Sequence, residues 1–65
     1  MSAEAGEGAA PEPLVLVVED EPQLVRFLRA TLPPHGYQMI AAVTGAQALV
    51  EAASRAPDLV LLDLG

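Results

Sequence analysis

Two aliphatic runs without polar alternation, Leu14 to Val18 and Leu59 to Leu62, constrain this chain more than any other feature. A strand wetted on one face alternates apolar and polar residues. A strand covered on both faces does not, so each run reads as part of a parallel sheet lying between helices. Both runs end in carboxylates, Glu19-Asp20-Glu21 after the first and Asp63 after the second. In an open α/β sheet the carboxyl ends of the strands border the crevice where ligands bind. The acids therefore stand where a site would form.

The sequence between the runs supplies two helices and a weaker strand. Pro22 suits the first turn of a helix, because its missing amide hydrogen costs nothing there, and Asp20 or Glu21 occupies the capping position before it. Leu24, Val25, Phe27, Leu28 and Leu32 then recur at three- and four-residue spacings as an inward stripe, with Arg26 and Arg29 outside it. Pro33-Pro34 ends this helix, and His35-Gly36 turns the chain. Tyr37 to Ala41 or Ala42 reads as a short strand, weakened by Gln38 and two alanines, of the kind found at a sheet edge. Thr44-Gly45-Ala46-Gln47 has the spacing of a capping box, so a second helix should start near Gly45 with Ala46, Leu49, Val50 and Ala53 as its stripe. Pro57-Asp58 turns into the last strand.

The expected architecture is thus α/β: a β-α-β-α-β unit of the flavodoxin-like type, with right-handed crossovers. Placing the weak strand at the edge gives strand order 2-1-3 and helices on opposite faces. The direction of winding then changes between strands 1 and 3, where Glu19, Asp20 and Asp63 meet.

Size and charge narrow the functions open to such a unit. At 65 residues there is room for one domain at most, and a domain this small buries only roughly 60% of its unfolded surface. Without cysteine, neither a disulfide nor a thiolate metal site can reinforce it. The net charge of −6, with three arginines and no lysine, argues against direct contact with nucleic acid or an anionic membrane. No stretch approaches the ~20 apolar residues of a membrane span. The N-terminus carries Glu4 and Glu7 where a signal peptide would be basic, so a cytoplasmic setting is expected. Residues 1–13, rich in Ala, Gly, Glu and Pro, read as a disordered leader; Gly6-Glu7-Gly8 within it lacks the preceding strand and third glycine of a phosphate-binding loop.

Carboxylates brought together repel, and such a group either holds protons or binds a cation. Oxygen-only donors open to solvent favour magnesium, which keeps several waters and takes one or two carboxylates plus phosphate oxygens. A carboxylate beside the metal can act as a nucleophile and form an acyl phosphate. His35, at a turn, has no evident partner, and the capping spacing accounts for Thr44.

These residues resemble the receiver domains of bacterial two-component response regulators. Val15 to Pro22 is similar to the first strand and acid pair of that family. Gly36-Tyr37 resembles the start of its second strand, and Pro57 to Leu64 the strand bearing the phosphorylated aspartate. The resemblance covers residues 14–65, read as the N-terminal part of a receiver domain. It implies that Asp63 is the phosphoacceptor, that Asp20 binds magnesium directly, and that Glu19 does so directly or through water. It also implies that the backbone carbonyl of Gly65 completes the metal site with Asp63. The partners implied are a sensor histidine kinase and, in a full-length protein, an output domain or a second response regulator. Such a module signals without turning over a substrate, so the chain is not expected to be an enzyme. The family's Thr or Ser after a fourth strand and Lys after a fifth have no counterpart in these residues.

A rival from another class is an interaction fragment that takes no phosphate and acts by pairing an exposed strand edge with another chain. A metal-dependent phosphatase would place a second aspartate two residues after a nucleophilic one in the first strand, and Asp20-Glu21-Pro22 does not.

Overall fold

The computed structural model describes residues 12–63. Of the proposed leader, only Glu12 and Pro13 fall within that range; residues 1–11, Leu64 and Gly65 lie outside the described residues. The element order is β1 (Leu14–Val18), α1 (Pro22–Thr31), a 3-10 turn (Pro33–His35), β2 (Gln38–Ala42), α2 (Gly45–Arg55) and β3 (Leu59–Leu62). The three strands form one parallel sheet in the order β2-β1-β3, as the sequence predicts.

β1 owes its place to its composition. Each of its residues has a side chain that packs well on a pleated surface, and as the central strand it is paired on both sides. Leu14 lies opposite Gln38 and Val18 opposite Ala42 on β2; Val15 lies opposite Leu59 and Val18 opposite Leu62 on β3. Val15, Leu16 and Val17 are each only 1% exposed, and with Ala42 they form the apolar core. A single strand thus carries almost the whole core.

The ends of the sheet are tied by the backbone and by one side chain. The Gln38 amide donates to the Pro13 carbonyl at 2.8 Å, and the Asp58 amide to the Leu14 carbonyl at 2.8 Å. The Asp58 carboxylate returns the bond, accepting from the Leu14 amide at 2.8 Å. At the opposite end, the Glu19 amide donates to Ala42 and the Asp63 amide to Val18. The ladder therefore continues one residue past β1, which sets Glu19 beside Asp63.

Several local expectations are refined. Glu21 occupies the N-cap of α1, but no side chain caps it; the acids there are engaged with one another instead. The box at α2 forms, with Thr44 Oγ1 accepting from the Gln47 amide at 3.1 Å. The Gln47 side chain reaches back one residue further than in the usual box, to the Val43 amide at 2.8 Å. β2 begins at Gln38, because the Tyr37 amide is turned to the Leu32 carbonyl. His35 is not partnerless: its Nδ1 lies 2.8 Å from the Thr31 carbonyl, an oxygen that can only accept, so the proton sits on Nδ1.

Burial departs from the apolar patterns in three places. β3 is exposed along its whole length, with Leu59 to Leu62 between 41% and 55% accessible. Its composition suits a covered strand, but among the described residues it is the free edge of the sheet. In α2 the predicted stripe is also open, Leu49 at 73% and Val50 at 65%. That helix packs on β1 and β2, and its half-buried residues are Ala48, Glu51 and Ala52. Periodicity identifies an apolar stripe; it does not supply the layer that covers it. In α1, Phe27 is likewise 61% exposed, whereas Leu24, Val25 and Leu28 are half-buried.

Candidate functional site

The site forms at the carboxyl end of the sheet, where β1 and β3 run out together. Successive residues of an extended chain project to opposite sides, and past Val18 this separates the acid pair. Glu19 is 5% exposed, whereas Asp20 is open to solvent. Glu19 Oε2 accepts from the Glu21 amide at 2.9 Å, which folds the acid loop over its own first carboxylate. Glu19 Oε1 is buried and has no hydrogen-bond partner.

The carboxyl of Asp63 is the main reason that Glu19 is held above its ordinary pKa of 4.5, since the two groups interact directly. The bond from the Glu21 amide works in the opposite direction, by favouring the ionised form. Loss of water and the nearby charges of Asp63 and Asp20 add to the upward shift. Two acids at one strand end thus compete for one proton or one cation.

The predicted residues are brought together unequally. Glu19 and Asp63 meet. Asp20 is close enough to raise the Glu19 pKa, but it lines a groove beside α1 with Pro22 and Arg26. Among the described residues no three His, Cys, Asp or Glu side chains gather into one metal-holding cluster. The donor set nevertheless suits a hard cation, because an unpartnered buried carboxylate oxygen beside a second carboxyl is the arrangement a divalent ion relieves. Asp58 serves the opposite end of the sheet, a role that sequence reasoning assigned only to a turn. An aspartate directly ahead of a strand is the available signal, since its carboxylate can take the amide of a neighbouring strand's first residue.

The groove itself has a volume of about 390 Å³ and lies between α1, the end of β2 and the start of α2. Sequence patterning gave no sign of it, because it depends on how far α1 stands from the sheet edge.

Comparison with known proteins places this geometry. No protein-family profile matches the chain. It is 60% identical over 52 residues to the transcriptional regulatory protein KdpE of Mycobacterium tuberculosis, covering 80% of this chain and 23% of that protein. It is 51% identical over 51 residues to the KDP operon transcriptional regulatory protein KdpE of Escherichia coli, covering 78% and 23% respectively. It is 42% identical over 50 residues to the alkaline phosphatase synthesis transcriptional regulatory protein PhoP of Bacillus subtilis, covering 77% and 21%. The chain therefore spans less than a quarter of the length of the curated relatives it matches. With these relatives and with a parallel sheet in the order 2-1-3, the chain belongs to the two-component response regulators and carries part of a receiver domain.

Proposed function

We propose that this segment receives a phosphoryl group on Asp63 as part of a phosphorelay that regulates transcription. The observation that carries the proposal is the pairing of Asp63 with the buried, half-satisfied carboxyl of Glu19 at the junction of β1 and β3. The donor is a phosphohistidine of a sensor kinase. A carboxylate oxygen of Asp63 bonds to phosphorus as the phosphorus–nitrogen bond breaks, and the imidazole leaves with a proton from solvent. A magnesium ion held by Glu19, Asp20, Asp63 and the Gly65 carbonyl would neutralise the charge of the incoming phosphoryl oxygens. Glu19 contributes its unpartnered oxygen, and Asp20 contributes by turning from the groove rim. Transmission to an output domain, or to a second response regulator, belongs to the full-length protein.

The test is labelling of the full-length gene product by a small phosphodonor with magnesium, beside an Asp63→Asn variant. The variant is expected to lose the label entirely. Undiminished labelling would place the nucleophile elsewhere.

A second reading rests on the open edge of β3, whose four residues are all exposed. Such an edge can take up a strand from another chain without any phosphate chemistry.

A further inference from the structure

We propose that the groove beside α1 is a docking site for the acidic N-terminal segment of this same chain, Met1 to Pro11, tethered through Glu12. Among the described residues, arginines without an ion pair gather at this groove. The chain has three arginines. Arg55 pairs with Glu51 at 4.0 Å, whereas Arg26 and Arg29 make no ion pair among the described residues, and both line the groove. They sit three residues apart on α1, over an apolar floor that includes Val25, Ala42 and Val43. In a molecule of net charge −6, this is a local reversal of sign with a hydrophobic base.

The segment before β1 has the complementary composition. It carries Glu4, Glu7 and Glu12, no basic side chain, and small apolar residues with Pro11 between them. Reach is sufficient. Twelve extended residues span up to roughly 40 Å, whereas β1 from end to end is roughly 17 Å. A crossover helix runs back against the strands it connects. Arg29, late in α1, is therefore nearer the point where the segment joins β1, and Arg26 lies beyond it. Asp20 at the far rim repels carboxylates, which stops the segment short of the Asp63 end. A single exposed ion pair is weak, but a tethered segment is present at an effective concentration in the millimolar range, where weak pairs fill.

The experiment uses the full-length gene product and the arginine reagent phenylglyoxal, with modification at each arginine read by peptide mass spectrometry. The native chain is compared with a variant carrying Glu4→Gln, Glu7→Gln and Glu12→Gln, changes that lie outside the sheet. At low salt, Arg26 and Arg29 are expected to react about threefold faster in the variant, as release of a segment held at such effective concentrations implies. The difference should close near 1 M salt, where charges are screened beyond about 3 Å, and Arg55 should react equally in both. Three outcomes overturn the proposal. Equal rates at Arg26 and Arg29 mean that the segment does not cover them. Equal acceleration at all three arginines means a general field effect. Protection of both groove arginines that persists in the variant means that another acidic segment is the occupant.

Discussion

Glu19 carries the chemical tension of this molecule. Its pKa is raised, chiefly by Asp63, so the folded state holds a proton more tightly than the unfolded chain does. The Glu19 contribution to stability is then fully present below the ordinary value of 4.5 and is lost as pH rises from there through the raised folded value. Glu19→Gln is expected to flatten that loss, and magnesium to offset it in the native chain by taking the place of the proton. Denaturation midpoints across this interval, with and without the metal, check both expectations; an unchanged slope in Glu19→Gln would exclude Glu19 as the group responsible. The meeting of Glu19 with Asp63 was legible in the sequence, because each closes an apolar run. The parting of Asp20 from Glu19 was legible only in principle, through strand alternation, and required knowing that the alternation continues past Val18.

At the level of elements, the ends proved harder to read than the bodies. Thr44 and Gln47 announced α2 because capping chemistry is local. The end of that helix was announced by Pro57, but its cap was not: the helix runs to Arg55 and Ala56 takes a left-handed conformation with φ 47°, where glycine is the usual residue. Its position is set by the chain's need to reach Pro57 and β3. Ala56→Gly is expected to stabilise the fold by about 1 kcal/mol, the scale of the left-handed penalty at one residue. Chemical denaturation measures this, and a destabilised variant would mean that backbone entropy outweighs the relieved strain. At Gly36, with φ 92°, the sequence already held the residue that the turn requires. The exposure of Leu49, Val50 and Phe27 was illegible for a different reason, since a sequence stripe contains no information about the distance to the layer that would cover it.

For the whole molecule, the strand order followed from one comparison, the weak Gln38–Ala42 strand against two strong ones. The exposure of β3 was legible from the strand count, since a three-stranded sheet in the order 2-1-3 leaves the apolar third strand at an edge. An apolar edge of this kind pairs with other chains. The 65-residue chain is expected to associate with rising concentration, and Leu61→Lys to suppress association, as read by sedimentation velocity. A chain that stays monomeric at all concentrations would remove the basis of the strand-pairing reading.

The central position of β1 also bears on synthesis. β1 leaves the ribosome first, yet neither of its partners is a sequence neighbour: Leu14 waits for Gln38, and its amide is secured by Asp58, 44 residues later. Closing such separations costs entropy before the contacts repay it. The most apolar strand of the molecule therefore spends the longest time unpaired, and until Leu62 has emerged the nascent chain depends on whatever shields Val15, Leu16 and Val17 in the interval.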